Sequence, residues 1–488
     1  MKEKEILSIK KRNNIKKEKN LSVENDAVQI HITIFARHII KKDTMTRKLY
    51  LLGLGLLAAV LMPTVSIAQN PGVLMEINSK TGVYAVGDSI KVWATILPEC
   101  KNAQEFAIHE NMYKYTKKQK LQLEAGRHLV YAGVCDKAAH YVFSVGEAGA
   151  KAGSQEISVV GAIVEPESMK SGYDAPKDLA KFWKKEIAAM RKLPLKAELK
   201  PAPQEKKSHK GFKCYDIEIP MPEGNPVRAY LVIPENAAPK SLPILIRAHS
   251  AGVKGKWCQS SVDQTIEDAK RGGGAIALDI NAHGMLNGQP QSYYDELDAG
   301  ELNLYSSREC TGHKDFYFRL MYLRLVRALD YLVTLPEWDG ERVAIYGESQ
   351  GGAQTAALAG MDSRVTAAVL RVPAFIDVAG KLQNRRGSWP GAYGKDPEAL
   401  ADVIPYYDGA CLLTLTKAKL FFEAGLVDYT CPPGCVAAGY NNVPSKDKTI
   451  VFFPYRPHTT GKMDKRFDKR WKEEIMTPRE QWLNDYLK

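Results

Sequence analysis

The sequence lacks an apolar run long enough for a confident transmembrane helix. Its longest such run, LYLLGLGLLAAVLM at 49–62, has 14 residues, whereas a spanning helix needs about 20. The run follows a short basic segment and precedes small residues, which is the pattern of a secretory signal peptide. We therefore predict a signal peptide from Met45 to Ala68, no stable membrane insertion after cleavage before Gln69, and a periplasmic or secreted protein. Residues 1–44 precede this signal, and we predict that they are disordered and arise from an upstream start codon.

The sequence also lacks the basic excess that nucleic-acid binding requires. The formal net charge is +12, but residues 1–68 carry 13 basic and 6 acidic residues. The remaining 420 residues therefore carry only +5. A charge this small and this dispersed is that of an ordinary protein surface. We predict no nucleic-acid partner.

A metal-binding cysteine set is missing as well. Cys431 and Cys435 are spaced C-x3-C, but no second pair or nearby histidine completes a zinc site. All eight cysteines lie after the predicted signal, where export permits disulfides. Cys100 and Cys135 could pair, and buried free thiols are an equal alternative for the others. We predict no metal and no organic cofactor.

Two regions of different character make up the rest of the chain. Residues 69–164 contain short β-rich runs such as SIKVWATI and HYVFSV, which predict a small antiparallel, Ig-like β-sandwich. In this region Tyr113, Tyr115 and Tyr131 are candidates for sugar stacking, with core packing or incidental exposure as the alternative. From 165 to 488, apolar strands such as LPILIRA and KLFFEAG alternate with helical stretches, which predicts a mostly parallel sheet covered on both faces.

The stretch YGESQGG at 346–352 offers a nucleophile. Four apolar or aromatic residues lead into it and a run of small residues follows, so strand, sharp turn and helix surround Ser349. This is the context of a G-x-S-x-G nucleophile elbow, in which glycines leave room for a strained serine. A glycine-rich strand–helix connection without catalytic function is the competing interpretation.

A serine nucleophile needs a base and an acid that orients the base. In the α/β-hydrolase order both follow the serine, each after a later strand. Asp428 follows AKLFFEAGLV, and His458 follows TIVFFPYRP and is the only histidine after Ser349. Asp428 as a turn cap and His458 as a surface residue are the alternatives, and three further acids compete for the role: Asp377, Asp408 and Asp464. We predict backbone N–H groups of Gln350 and Ala251 as the oxyanion donors.

From about residue 173 to 488 the chain resembles the acetyl xylan esterase/cephalosporin C deacetylase family, carbohydrate esterase family 7. The matching stretches are FYFRLMYLRLVRALDYLVTLPEWDGERVAIYGESQGG, GLVDYTCPP and AAGYNNVPSKDKTIVFFPYRPH. The resemblance implies an α/β-hydrolase fold, the triad Ser349, Asp428 and His458, and an oxyanion loop at 249–251. The chain departs from the family where an Arg-Gly-Gln motif gives way to Asn281-Ala282-His283-Gly284 and where Thr459 replaces glutamate after His458.

The resemblance implies an exported serine esterase that removes acetyl groups from xylan or related poly- and oligosaccharides. Its expected partner is an acetylated carbohydrate, and a homo-oligomer is compatible with the family. Two alternatives stay open at this point. One is an esterase for another acyl group, such as a feruloyl or glucuronoyl ester, and the other is a catalytically silent carbohydrate-binding protein.

Overall fold

The computed structural model describes residues 72–98, 100, 104–147, 157–203 and 206–488. The predicted signal peptide and the segment 1–44 lie outside these residues. Within the described part of the chain, no helix is both long enough and apolar enough to cross a membrane. All described residues belong to one compact unit.

The N-terminal region folds as two small sheets packed face to face. Their strands are β1 Val73–Ile77, β2 Val83–Tyr84, β3 Ser89–Ile96, β4 Gln104–Glu110, β5 Lys114–Leu121, β6 Gly126–Val134, β7 Ala139–Glu147 and β8 Ile157–Val164. One sheet has the order β1-β3-β6 and the other β2-β8-β7-β4-β5. All pairings are antiparallel except that of β2 with β8. The predicted β-sandwich is therefore present, although β4 and β5 were not among the predicted strands.

The second region contains a nine-stranded sheet. Its strands are β9 Glu198–Pro201, β10 Phe212–Ile219, β11 Val227–Pro234, β12 Leu242–Ala248, β13 Ile276–Ile280, β14 Trp338–Glu348, β15 Ala367–Arg371, β16 Lys419–Gly425 and β17 Lys448–Phe453. Their order is β17-β16-β15-β14-β12-β13-β11-β10-β9. The six strands from β17 to β13 run parallel, and β11, β10 and β9 add an antiparallel edge. The mostly parallel α/β sheet is confirmed.

Helices connect these strands. They are α1 Leu179–Met190, α2 Val262–Ala269, α3 Gln291–Ala299, α4 Tyr317–Leu332, α5 Gln350–Met361, α6 Gly409–Leu412, α7 Pro433–Asn442, α8 Asp468–Trp471 and α9 Thr477–Leu487. The small residues of α5 let it lie close against the strands, and its first ten residues are all buried. Because β12, β14, β15, β16 and β17 are parallel, their carboxyl ends meet at one edge of the sheet, where functional side chains of such folds collect.

The sandwich shares apolar contacts with the second region. Its buried cluster includes Phe453, the last residue of β17, and Tyr455, which lies just after that strand. The imidazole Nε2 of buried His140 lies 2.8 Å from the carbonyl oxygen of Leu426 and donates to it. The amide of Gly161 donates to the carbonyl of Pro454 at 2.8 Å. These contacts bring the sandwich against the loops after β16 and β17. The division into separate domains at residue 164 stays a prediction.

All eight cysteines lie among the described residues, and none of them is in a disulfide there. Cys100 and Cys135, the pair that the sequence offered for a disulfide, are not joined. Cys431, just before α7, and Cys435, in its first turn, are both buried, and burial raises the pKa of each thiol well above its usual value. These thiols therefore act as small apolar groups in the core.

Candidate active site

Ser349 lies at the sharp turn between β14 and α5. Its backbone angles, φ 57° and ψ −120°, are strained for a residue with a side chain. A Cβ atom at Gly347 would collide with the backbone of Gly351, and one at Gly351 would collide with the carbonyl of Ala248. The two glycines are thus required by the close approach of strand and helix. The turn has the geometry of the predicted nucleophile elbow.

The structure brings the three predicted triad residues together. Ser349 Oγ lies 2.9 Å from His458 Nε2, and His458 Nδ1 lies 2.8 Å from Asp428 Oδ2. Asp428 is fully buried, Ser349 is 6% exposed, and the His458 side chain is 22% exposed. The hydroxyl can therefore pass its proton to an imidazole whose other nitrogen donates to a buried carboxylate. This is the arrangement that activates a serine for attack on an acyl group.

Asp428 is held in place by its own loop. Its second oxygen, Oδ1, accepts hydrogen bonds from the backbone N–H groups of Thr430 at 2.8 Å and Cys431 at 2.9 Å. The capping role that competed with the catalytic one is therefore real, and the same carboxylate also contacts His458. Because Oδ1 is held by the loop, the carboxylate is oriented so that Oδ2 faces His458 Nδ1.

The three competing acids have other partners. Asp408 caps α6 and accepts from the backbone N–H groups of Asp377, Val378 and Ala410. Asp377 forms a buried ion pair with Arg385, and Asp464 pairs with Arg466. The two ring nitrogens of His458 contact Asp428 and Ser349 instead of these carboxylates.

The loop after β12 lies directly over the elbow. The side-chain amide of Gln354 in α5 donates to the carbonyl of His249 at 3.1 Å, and the Ser250 hydroxyl donates to the carbonyl of Glu348 at 3.0 Å. Gln350 is the first residue of α5, so its backbone N–H has no acceptor within the helix. Ala251 and Gln350 are thus on adjoining segments, and their roles as oxyanion donors stay predictions.

Two residues outside the predicted set tie this loop to the elbow. The Tyr305 hydroxyl accepts from the Gly252 N–H at 3.1 Å and donates to the Gln350 side-chain oxygen at 2.7 Å. His283 Nε2 lies 3.0 Å from the Gly252 carbonyl, and its Nδ1 lies 2.7 Å from the Tyr317 hydroxyl. Burial lowers the pKa of His283 to about 3, so the ring is neutral and carries one proton. It donates that proton to Gly252 and accepts from Tyr317.

His283 belongs to the segment that replaces the family's Arg-Gly-Gln motif. The sequence left its role open between a pocket residue and a structural turn residue, and the structure shows it bound to the loop after β12. Tyr305 lies in a polar loop without periodicity, and no strand-end or spacing signal pointed to it. Only the contacts of the folded chain identify it.

His249 anchors the base of the same loop. Its Nε2 contacts the Asp279 carboxylate closely, and its Nδ1 lies 3.2 Å from the carbonyl of Trp257. Both partners are acceptors, so both ring nitrogens donate and the ring is positively charged. Burial opposes that charge, but the Asp279 carboxylate outweighs it and raises the pKa of His249.

A buried ion network supports the loop that carries His458. The Arg456 guanidinium donates to the carbonyls of Pro457 at 2.8 Å and His458 at 3.1 Å. Arg456 and Arg479 both contact Glu423 closely, and all three side chains are almost fully buried. Burial alone would raise the pKa of Glu423, but the two guanidinium groups lower it to about 2. The charged network fixes the backbone next to the base.

Within the described residues, Asp428, Cys431 and His458 come close enough together to suggest a metal site. Two of the three possible ligand atoms already contact each other, because His458 Nδ1 donates to Asp428. The third, the Cys431 thiol, is buried. Burial raises the pKa of that thiol well above its usual value, whereas a metal needs the thiolate. The residues fit a triad better than a metal centre.

The fold and this site define an α/β-hydrolase of the serine hydrolase class. The family model for acetyl xylan esterase (AXE1) matches residues 165–474. Because this is more than half of the chain, the protein belongs to the acetyl xylan esterase family. The resemblance drawn from the sequence motifs is confirmed.

Individual relatives agree with this assignment. The chain is 28% identical over 306 residues to the acetyl esterase Axe7A of Xylanibacter ruminicola, a match that covers 60% of this chain and 66% of that protein. The chain thus spans slightly less than two thirds of that relative. An acetyl xylan esterase from Paenibacillus sp. R4 superimposes with a TM-score of 0.50 and 23% identity, covering 65% of this chain and 98% of that one. This second likeness shows the shared fold.

Proposed function

We propose that the protein is a serine esterase that removes acetyl groups from acetylated xylan or a related poly- or oligosaccharide. The observation that carries the proposal is the hydrogen-bonded series Ser349–His458–Asp428 on an α/β-hydrolase elbow. Membership of the acetyl xylan esterase family supports the acyl group and the carbohydrate.

In this mechanism His458 takes the proton from Ser349 as Oγ attacks the acetyl carbonyl carbon. The buried Asp428 carboxylate holds the ring in the right tautomer and stabilises the imidazolium. His458 then protonates the sugar hydroxyl that leaves, which yields an acetyl-enzyme. Water, deprotonated by His458, attacks this ester and releases acetate. Every proton passes through the histidine, and the chemistry needs no cofactor.

Charge develops on the carbonyl oxygen during both attacks. The backbone N–H groups of Gln350 and Ala251 are the proposed donors to that oxyanion, and such donors must be positioned before the reaction to be effective. The hydrogen bonds of Tyr305 and His283 to the neighbouring backbone supply this positioning.

The alternatives predict different substrates. A feruloyl or glucuronoyl esterase would need room for a large acyl group, and a silent binding protein would not need a complete triad. An acetate-release assay across acetylated xylan, pectin, mannan and small acetylated sugars distinguishes these functions. Release of acetate by the wild type but not by Ser349→Ala supports the proposal. Binding without turnover by the wild type would contradict it.

We also propose that the protein is exported, because the segment 45–68 has the composition of a signal peptide. Mass spectrometry of the protein recovered from outside the cytoplasm is the test. A mature N-terminus at Gln69 supports export, and an N-terminus well upstream of it contradicts the proposed cleavage.

A further inference from the structure

The edge strand β5 of the sandwich places several basic side chains on one face. In its register with β4, Tyr115 lies opposite His109 and Lys118 lies opposite Ala107. Residues paired across an antiparallel ladder point to the same face, so Tyr115 and Lys118 share a face with His109. Lys120, two residues further along β5, points the same way. Lys117, between them, faces the other side, where its ammonium lies 5.8 Å from the Phe106 ring centroid.

That face is joined to the loop of the triad acid by a column of rings. The Tyr115 ring stacks on His109 with centroids 4.5 Å apart, and His109 stacks on Tyr429 with centroids 5.5 Å apart. His109 Nδ1 also lies 3.2 Å from the Tyr429 hydroxyl. On the outer side of the column, the Lys118 ammonium lies 4.3 Å from the Tyr115 ring centroid. Tyr429 directly follows Asp428. Lys118 is therefore linked to the loop that carries Asp428 through one cation–π contact and two ring–ring contacts.

Arg386 approaches the same place from the hydrolase side. Its backbone N–H donates to the carbonyl of Asn111, at the turn between β4 and β5, at 3.0 Å. Its guanidinium is exposed and forms no ion pair within the described part of the chain. Burial, followed by the charges of Arg386 and Lys118, lowers the pKa of His109.

The segment after Arg386 leads to the nucleophile. The Trp389 N–H donates to the carbonyl of Thr430 at 3.0 Å, and the Trp389 carbonyl accepts from Phe375 at 2.6 Å. The neighbouring N–H of Ala374 donates to the carbonyl of Ser349 at 2.9 Å. The segment that follows Arg386 is therefore joined to the elbow by backbone hydrogen bonds.

We call Tyr115, Lys118, Lys120 and Arg386 the basic ledge. The acid paired with it is Glu105, which is 3.9 Å from Lys118, so three cations face one carboxylate. Lysines on an edge strand also protect against sheet-to-sheet pairing, but Arg386 lies outside the sheet and has no such role. The convergence of cations from two regions indicates a binding surface for anions beside the site.

We propose that the basic ledge binds the uronate carboxylates of an acetylated glycan, so that the preferred substrate is an acidic, uronate-bearing acetylated polysaccharide. This inference rests on the proposed esterase function. A uronate carries one negative charge per residue, and a chain that bears uronates can contact the ledge while one of its acetyl groups is at Ser349. Binding energy gained at the ledge therefore favours long acidic substrates over small neutral esters.

The test compares two size-matched sets of acetylated xylo-oligosaccharides, one with glucuronic acid branches and one without. The wild type is expected to show a lower KM for the acidic set. The double variant Lys118→Gln/Arg386→Gln is expected to raise that KM about 10-fold, the effect of losing two exposed charge contacts. Its kcat, its activity on the neutral set and its hydrolysis of p-nitrophenyl acetate are expected to stay unchanged.

Lys117→Gln is the matched control, because it removes the same charge from the same strand on the opposite face. Equal KM values of the wild type for both sets, or an equal effect of Lys117→Gln, would overturn the proposal. Calorimetric binding of both sets to Ser349→Ala tests the ledge without turnover: tighter binding of the acidic set supports it, and equal binding overturns it. Absence of any ester hydrolysis by the wild type would refute the esterase function and leave this binding result to decide on the ledge.

Discussion

The hydroxyl of Tyr305 donates a 2.7 Å hydrogen bond to the side-chain oxygen of Gln350, the residue that follows the nucleophile. The same hydroxyl accepts from the Gly252 N–H, so one phenol links the loop after β12 to the start of α5. These two segments carry the proposed oxyanion donors. Their relative position is therefore set before a substrate arrives.

Replacing Tyr305 by phenylalanine tests this link. Tyr305→Phe should lower kcat about 10-fold with little change in KM, since the loss of a hydrogen bond loosens a positioning contact rather than a substrate contact. Steady-state kinetics with p-nitrophenyl acetate measures both constants. Tyr406→Phe is the control, because its hydroxyl bonds Asp178 at the protein surface. A rise in KM at constant kcat would show that Tyr305 contacts the substrate instead.

Loss of the nucleophile should abolish turnover and spare the fold. We expect Ser349→Ala to reduce ester hydrolysis by roughly 10³-fold or more, because the members of a triad act as a unit. The strain at this position is in the backbone, which alanine shares, so the melting temperature should stay close to that of the wild type. Activity near the wild-type level in a folded variant would mean that another residue is the nucleophile.

The charge of Asp428 should matter more than its shape. Asp428→Asn keeps the side-chain volume but removes the carboxylate that orients His458, and on the serine-protease precedent kcat falls about 10⁴-fold. Asp408→Asn provides the comparison, because that carboxylate contacts backbone amides around α6. The assignment of the acid is wrong if the Asp408 variant is inactive while folded and the Asp428 variant is not.

The ion network behind the histidine loop should make stability depend on pH. Arg456 and Arg479 hold the pKa of Glu423 at about 2, below its ordinary value of 4.5. A depressed carboxyl pKa stabilises the fold above the unfolded-state pKa, and this contribution is lost as pH falls from about 4.5 toward 2. Urea denaturation at a series of pH values should show the loss in the wild type.

Glu423→Gln removes the carboxylate and leaves two buried cations without their counter-charge. This should cost about 3–5 kcal/mol in the free energy of unfolding near pH 7. The pH dependence between about 4.5 and 2 should flatten in the same variant. Unfolding curves that keep the wild-type slope in that range would show that other carboxyl groups cause the acid sensitivity.

The parallel strands and the three residues of the proposed triad were accessible from the sequence because each has a local signal. Continuous apolar runs such as β16 and β17 mark buried parallel strands, and Asp428 and His458 follow such runs where parallel strands end together. The glycines around Ser349 reflect a steric demand that acts over four residues. Signals of this kind lie within one short segment and do not depend on the rest of the fold.

Strand β5 was missed because the sequence KYTKKQKL has no apolar alternation. Its side chains are exposed apart from the last, which is half-buried, so burial leaves no periodic pattern to read. The strand forms because β4 provides a partner for its backbone. Its position at the sheet edge beside Tyr429 depends on how the sandwich packs against the loops after β16 and β17.

The sequence by itself determined the α/β architecture and pointed to the elbow and to the three residues of the proposed triad, because hydrophobic period and steric crowding are local properties. Tertiary structure alone decided what surrounds them. Tyr305 and His283 contact Gly252 from positions 53 and 31 residues away along the chain. Arg456, which follows β17, forms an ion pair with Glu423 in the adjacent strand β16. Such contacts form only when separate elements pack, because hydrogen bonds and ion pairs depend on distances in space that no spacing along the chain records.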